Sequence, residues 1–333
     1  MDPGDSIRLG RTSLTVSRLG VGTAWLGNLY QAVDNEAAPA ILGRALELGV
    51  RLVDTAPLYG LGLAERRIGP VLAARPRESF ALSTKVGRVL RPRAPGDPEL
   101  VDEGRPLFVD APALFPDFDF SRDAVLRTFA GSLERLGLER ADIVLIHDPD
   151  DHFSQALDGA YPALERLRAD GAVTAIGVGM NQAELLVEFA KATDIDCVLL
   201  AGRYTLLDQT GLRELLPLCA QRGISVVIGG VYNTGVLADP SPGALYNYRT
   251  APPELLERVR RMQVVCARHG VPLKAAAIQF PFGHPAVTSV LTGVRSVAEL
   301  DENARMLRLP IPADLWAELR AERLLPEEVP VPG

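Results

Sequence analysis

Short apolar strands alternate with amphipathic helical segments along the chain. The predicted strands are near-continuous runs of Val, Ile and Leu, and such runs are typical of parallel strands buried on both faces. Eight strands are predicted, each followed by a helical segment, at 17–24, 51–56, 80–87, 141–147, 174–180, 195–202, 224–230 and 286–293. Eight such units in 333 residues predict an α/β fold, a (β/α)8 TIM barrel, because a doubly wound sheet more often has about five to seven strands.

Two segments are too long to be simple connections between a strand and a helix. Residues 88–120 are rich in proline and end in "LFPDFDF", and residues 236–252 contain Tyr246 and Tyr248. Loops of this length are usually active-site lids or disordered linkers. The aromatic residues favour lids, since aromatic side chains in a disordered linker would have nothing to pack against. We therefore predict one barrel domain over residues 1–333 with long active-site loops.

Composition and charge argue against several classes of function. The net charge is −7 and no basic run occurs, which disfavours binding to nucleic acid or to an anionic membrane. The three cysteines are far apart and form no CxxC pair, so neither a disulfide framework nor a zinc knuckle is expected. No signal region or membrane-length apolar run is present. These features predict a cytoplasmic protein that acts on a small molecule and leave its oligomeric state open.

Polar residues stand at the carboxyl ends of the predicted strands, where TIM-barrel enzymes place their chemistry. They are Thr23, Asp54, Lys85, His147 and Asn181, with Tyr59 in the turn after Asp54. The chain has only three lysines, so a lysine at a strand end indicates a need for a compact ammonium. We predict that Lys85 lowers the pKa of Tyr59 into the range of a general acid or base. Asp54 would keep Lys85 charged, and His147 would orient a substrate oxygen.

Several segments resemble, in chain order, the signatures of the aldo-keto reductase superfamily. They are "LGVGTAWLG", "VDTAPLYGLGLAERRIG", "STKVG", "VLIHDPD" and "ENARM". The resemblance implies an NAD(P)-dependent oxidoreductase whose catalytic tetrad is Asp54, Tyr59, Lys85 and His147. Other segments, "LIHDPDDH", "GVGMNQ", "AGRYTLLDQ" and "GALYNYR", are similar to a bacterial subgroup that includes L-fucose or D-threo-aldose 1-dehydrogenases and pyridoxal 4-dehydrogenase.

The resemblance implies a nicotinamide dinucleotide bound without a Rossmann domain, and no G-x-G-x-x-G motif follows a strand here. The loop "TGVRSVAELDEN" (292–303) enters a helix, whose N-terminus suits a phosphate. The implied cofactor residues are Gly22, Thr23, Asp54, Asn181, Gly230, Val231, Tyr232, Asn233, Gly235, Leu237, Gly293, Val294, Arg295, Ser296, Glu299, Glu302 and Asn303. Asn181 would hold the carboxamide and Asn303 would reach the adenine. Gly230 falls near the usual stacking tyrosine, with Tyr232 two residues later, so the stacking residue stays open.

The choice between NAD and NADP depends on two residues of the last loop. Glu299 stands four positions before Asn303, where many relatives have a basic residue. A carboxylate there repels a 2′-phosphate and accepts a hydrogen bond from a free hydroxyl. Arg295 favours the opposite choice, since a guanidinium pairs with phosphate. The balance favours NAD.

The loop "HDPDDH" (147–152) offers polar groups for either a metal or several substrate hydroxyls. Metal-hydrolase barrels usually open with HxH on the first strand, and none occurs, so no metal is predicted. The predicted substrate residues are Trp25, Tyr59, His147, Asp148, His152, Tyr232, Tyr246 and Tyr248.

We predict oxidation of an aldose hemiacetal, of L-fucose or D-threo-aldose type, at C1 to the lactone. Oxidation of pyridoxal to its lactone is the alternative, since an aromatic lid would stack on a sugar face or on a pyridine ring. A nicotinamide-sensing binding module without turnover is a further alternative, which the complete tetrad disfavours.

Overall fold

The eight predicted strands form one closed parallel barrel in the computed structural model, which describes residues 1–333. In chain order the strands are β1 Leu19–Gly22, β2 Leu52–Asp54, β3 Ala81–Val86, β4 Ile143–His147, β5 Ala175–Met180, β6 Cys197–Ala201, β7 Ser225–Gly229 and β8 Val287–Gly293. Each strand pairs with the next, and β8 pairs with β1, so no edge is left open. The predicted TIM-barrel class is confirmed.

Helices surround the barrel and bury one face each against it. They are α1 Ala37–Glu47, α2 Leu63–Ala73, α3 Arg122–Leu136, α4 Tyr161–Ala169, α5 Ala183–Ala192, α6 Leu215–Arg222, α7 Pro253–Arg268, α8 Leu273–Gln279, α9 Val297–Arg308 and α10 Ala313–Ala321. Local sequence sets their ends: Ser121 caps α3 by accepting a hydrogen bond from the Ala124 amide, and Gly137 ends it in the left-handed conformation. None of these helices is both long and apolar enough to cross a membrane.

An N-terminal hairpin, Ser6–Arg8 with Thr15–Ser17, closes the bottom of the barrel. Its Leu9 and Val16 pack against interior side chains of the strands, among them Leu145 and Leu291. Burial of these side chains excludes water from the barrel below the strand ends. The polar strand-end residues therefore lie above an apolar floor.

The two long segments both contain antiparallel hairpins and are not disordered linkers. In the first, Arg88–Pro92 pairs with Leu114–Phe118, and Val101–Asp102 pairs with Arg105–Pro106. In the second, Leu245–Tyr246 pairs with Arg249–Thr250. They follow β3 and β7 respectively, so both extend from the carboxyl end of the barrel, where the polar strand-end residues lie.

Candidate active site

The Lys85 ammonium joins three residues at the ends of β2 and β3. Its Nζ donates to Asp54 Oδ2 at 2.6 Å, to the Thr55 carbonyl oxygen at 2.9 Å and to Tyr59 Oη at 3.1 Å. The strands are neighbours in a register that places Asp54 opposite Ser83, and the Ser83 hydroxyl donates to Asp54 Oδ1 at 2.8 Å. Asp54 and Lys85 are both buried. The structure therefore brings the ends of these two strands together, as the sequence predicts.

Tyr59 reaches Lys85 because two glycine backbones pack against each other below it. A Cβ atom on Gly27 would lie 2.6 Å from the carbonyl carbon of Tyr59, and one on Gly60 would lie 2.4 Å from the Gly27 oxygen. Gly60 also has a positive φ of 61°. Only glycine allows this approach and this backbone conformation together. The turn that presents the phenol is thus fixed by the backbone of the β1 loop.

His147 stands beside Tyr59, with the two rings perpendicular and their centroids 5.9 Å apart. Its Nε2 lies 3.5 Å from Asp148 Oδ2, and its buried Nδ1 has no hydrogen-bond partner. Burial, together with the positive charges of Lys85 and Arg88, holds the pKa of His147 well below its usual range. The imidazole is therefore neutral at neutral pH and has a single N–H to donate.

The expectation that the pKa of Tyr59 falls into the neutral range is wrong for this structure. Burial raises the pKa of Tyr59 to about 12, and the Lys85 ammonium offsets only part of that rise. For Lys85 itself, burial opposes the charge, but Asp54 and Tyr59 outweigh burial and raise the pKa of the ammonium, so it stays charged as predicted. Tyr59 is therefore a protonated phenol at neutral pH, held against the charged Lys85 ammonium.

A cavity of about 470 Å³ extends from Tyr59 across the strand ends to α9. Its lining includes the predicted cofactor residues Gly22, Asp54, Asn181, Gly230, Val231, Tyr232, Asn233, Gly235, Gly293, Arg295, Glu299, Glu302 and Asn303. It also includes the predicted substrate residues Trp25, Tyr59, Tyr232 and Tyr248. Tyr30, Asn247 and Lys274 are among the residues of this lining that the sequence did not predict. The scarcity of lysine in the chain was a usable sequence signal for Lys274. Tyr30 and Asn247 carry no such signal.

Four predicted cofactor residues do not line this cavity. Thr23, Leu237 and Val294 are buried in the protein. Ser296 caps α9, and its hydroxyl accepts a hydrogen bond from the Glu299 amide. Thr23, Leu237 and Val294 therefore lie behind the cavity wall and do not face the cavity.

Four predicted substrate residues are not part of the lining of the large cavity: His147, Asp148, His152 and Tyr246. The Tyr246 hydroxyl lies 3.4 Å from Asp208 Oδ2, to which it donates. His152 packs its ring against Phe118 and Phe120, with centroids 5.0 and 5.5 Å away. His152 and Asp148 line a second cavity of about 500 Å³. No group of three or more His, Cys, Asp or Glu side chains is arranged to hold a metal ion.

The cations at the α9 end of the large cavity are each paired with a carboxylate. The Arg295 guanidinium donates to Glu299 Oε1 at 2.7 and 3.0 Å, and the Arg295 backbone amide donates to Glu299 Oε2 at 2.8 Å. Lys274 Nζ lies 2.5 Å from Glu302 Oε2. Glu299 therefore occupies the position at the helix N-terminus that would otherwise attract an anion.

A parallel barrel with a buried Lys–Asp–Tyr cluster at its carboxyl end, opening into a long cavity, is the arrangement of a barrel enzyme. The chain belongs to the Aldo/keto reductase family, whose profile matches residues 18–322. The family prediction is confirmed, and the protein is an oxidoreductase of a family that uses nicotinamide cofactors.

Two curated relatives that the chain resembles over most of its length fall in the predicted subgroup. D-threo-aldose 1-dehydrogenase of a Pseudomonas species is 43% identical over 316 residues, covering 94% of this chain and 96% of the relative. Pyridoxal 4-dehydrogenase of Microbacterium luteolum is 40% identical over 337 residues, covering 95% of this chain and 97% of the relative. The holo form of an aldo-keto reductase from Bacillus halodurans superposes with a TM-score of 0.73 at 25% identity, covering 95% of each chain.

Proposed function

We propose that the enzyme oxidises the hemiacetal carbon of an aldose to a lactone, with NAD⁺ as the hydride acceptor. The observation that carries this proposal is the contact of Lys85 Nζ with both Asp54 and Tyr59 beside a neutral His147. Tyr59 Oη exchanges a proton with the substrate oxygen, and Lys85 stabilises the phenolate that remains when the proton leaves. The His147 N–H donates to the same oxygen and fixes its direction.

The cavity residues fit a nicotinamide dinucleotide. The Asn181 side chain lines the cavity and makes no hydrogen bond within the protein, so its amide is free to bind a carboxamide. At the other end, Tyr232 Oη donates to Asn303 Oδ1 at 2.9 Å, which fixes the Asn303 amide and leaves its NH₂ group to bind an adenine. A bound oxidised nicotinamide supplies the hydride acceptor. Tyr232 lies against Asn303, so we assign it to the adenosine half of the cavity.

NAD is the cofactor that the charges at the adenosine end favour over NADP. Arg295 and Lys274 are already paired with Glu299 and Glu302, so a 2′-phosphate would meet no unpaired cation there. Because the phosphate carries negative charge, it would also be repelled by both carboxylates. A ribose 2′-hydroxyl would instead find an acceptor in Glu299.

Replacing Glu299 by Gln is expected to shift cofactor preference toward NADP. The change frees the Arg295 guanidinium and removes the nearest negative charge. We expect the ratio of kcat/KM for NADP⁺ to kcat/KM for NAD⁺ to rise about tenfold, the size of one exposed charge-assisted hydrogen bond. Asp301→Asn is the matched control, because Asp301 pairs with Arg44 and does not line the cavity. An unchanged ratio in Glu299→Gln would contradict this assignment.

An aldose is favoured over pyridoxal by polar groups next to the reacting centre. Asp148 adjoins His147, and Asn247 lines the large cavity, so several hydroxyls would find partners. The D-threo-aldose relative is also slightly more similar in sequence. Pyridoxal is the second candidate, supported by its relative and by the aromatic side chains of Trp25 and Tyr248 in the lining.

The direct test is turnover by the purified protein. L-fucose, D-arabinose and pyridoxal are each mixed with NAD⁺ or NADP⁺, and reduced nicotinamide is followed by absorbance. We expect reduction with an aldose and NAD⁺, with a lactone as the product. Faster reduction with pyridoxal would replace the substrate in this proposal. No reduction with any of the three would reject both candidates.

A further inference from the structure

Asp148 follows the histidine of the candidate site directly and is held in an unusual backbone conformation. Its φ is 44°, in the left-handed region, and its amide donates to the Gly179 carbonyl oxygen at 3.0 Å. A residue other than glycine in this region costs energy, and such conformations cluster at functional sites. The conformation ends β4 sharply and places the Asp148 carboxylate beside the imidazole instead of along the strand.

Arg88 holds the same oxygen of this carboxylate that faces His147, Oδ2. The chain turns at Gly87, where a Cβ atom would lie 2.2 Å from the ring of Phe120. The Arg88 guanidinium then lies over the Phe118 ring, 3.6 Å from its centroid, and donates to Asp148 Oδ2 at 3.3 Å. Asp148 is the only hydrogen-bond acceptor that Arg88 contacts. Burial raises the pKa of the Asp148 carboxyl, and the Arg88 charge opposes that rise, so Arg88 favours the ionised form.

The Asp148 carboxylate retains acceptor capacity for a ligand. Its side chain is 29% exposed and lines the second cavity, whereas the Arg88 side chain is 15% exposed. Asp148 Oδ2 is 3.5 Å from His147 Nε2, too far for a good hydrogen bond but close enough to serve the same ligand. Oxygens on neighbouring carbons of a sugar lie close together. When His147 Nε2 binds the oxygen on one carbon of the sugar, the Asp148 carboxylate beside it is therefore well placed to bind the hydroxyl on the neighbouring carbon.

We propose that Asp148 accepts a hydrogen bond from the substrate hydroxyl on the carbon next to the reacting carbon, and that Arg88 is its positioning residue. This assignment rests on the proposed function, since it takes the oxygen bound by Tyr59 and His147 as the reacting one. It makes the enzyme selective for carbonyl compounds and hemiacetals that carry an adjacent hydroxyl. When that hydroxyl is absent, the carboxylate loses one hydrogen bond and keeps only the bond from Arg88.

The test compares two aldehydes that differ by one hydroxyl, in the direction of reduction with NADH. Lactaldehyde carries the adjacent hydroxyl, and propanal does not. We expect the wild-type enzyme to favour lactaldehyde in kcat/KM by roughly tenfold to a hundredfold, the size of one hydrogen bond to a charged group. In Asp148→Ala this ratio should fall to about one, because lactaldehyde loses a hydrogen bond that propanal never makes. Asp158→Asn is the matched control, because Asp158 is exposed and contacts no partner.

The positioning role of Arg88 is tested by the same ratio of kcat/KM for lactaldehyde to kcat/KM for propanal. In Arg88→Gln the ratio should fall, because KM for lactaldehyde rises relative to KM for propanal, and Arg88→Lys should restore part of it. An Asp148→Ala enzyme that keeps the preference, or that loses both activities equally, overturns the proposal. Wild-type enzyme that does not prefer lactaldehyde, including one that reduces neither aldehyde, overturns it too. The oxidation of aldoses is measured separately, so failure of that activity is distinguished from failure of this selectivity.

Discussion

Replacing Tyr59 by Phe is expected to lower kcat for the oxidation by about 10²- to 10⁴-fold, the usual contribution of a general acid or base. The phenol is the only group within hydrogen-bond distance of Lys85 that can exchange a proton with a substrate, because Asp54 is engaged by Lys85 and Ser83. The ring itself is retained, so packing against His147 is unchanged. Steady-state kinetics with saturating NAD⁺ measure the loss.

Two controls keep this result interpretable. The binding of NAD(H), followed by fluorescence titration, should be unchanged in Tyr59→Phe. The free energy of unfolding should fall by no more than about 1 kcal/mol, since only one hydrogen bond to Lys85 is lost. A variant that binds cofactor, is folded and keeps wild-type kcat would show that Tyr59 is not the acid or base.

The pH dependence of kcat/KM follows from the protonation of Tyr59. Because the pKa of Tyr59 is about 12, the phenolate is a small fraction of the enzyme at neutral pH. As long as the pH stays below the pKa, this fraction increases about tenfold for each unit by which the pH is raised. The kcat/KM for oxidation, where Tyr59 must accept a proton, should therefore rise from pH 7 to pH 10. The kcat/KM for reduction, where the protonated phenol donates, should stay flat over that range. A plateau in the oxidation rate already at pH 7 would contradict this prediction.

The sequence predicted the barrel and the meeting of Asp54, Lys85 and Tyr59 because both follow from local pattern. Apolar runs mark buried parallel strands, and in a closed barrel the carboxyl ends of all strands share one rim. A polar residue at the end of each run must then face the same space. No long-range knowledge was needed for this part of the site.

What the sequence left open depended on contacts between distant segments. The sign of the Tyr59 pKa shift depends on how deeply the folded protein buries the phenol, which no local pattern gives. In the sequence, Glu299 favours NAD and Arg295 favours NADP, but in the structure the two side chains are paired with each other. His152 has the chemistry of a substrate residue, yet it packs against Phe118 and Phe120 from another loop.

Replacing Lys85 by Met should impair both catalysis and stability, and the two effects can be separated. Removing the ammonium leaves the Asp54 carboxylate buried and unpaired, at a cost of about 3–5 kcal/mol in the free energy of unfolding. It also removes the positive charge that stabilises the Tyr59 phenolate, so kcat for oxidation should fall by about 10²- to 10⁴-fold. Denaturant unfolding and steady-state kinetics measure the two losses.

The double variant Lys85→Met with Asp54→Asn distinguishes the two roles of the lysine. Asparagine removes the unpaired charge but keeps the shape of Asp54, so most of the lost stability should return. Activity should not return, because the positive charge beside Tyr59 is still missing. If the double variant recovered activity along with stability, Lys85 would be a structural partner of Asp54 and the phenol would work without it. Recovery of stability alone is the result we expect, because a well-folded barrel with Tyr59 in place would still lack the positive charge beside the phenol.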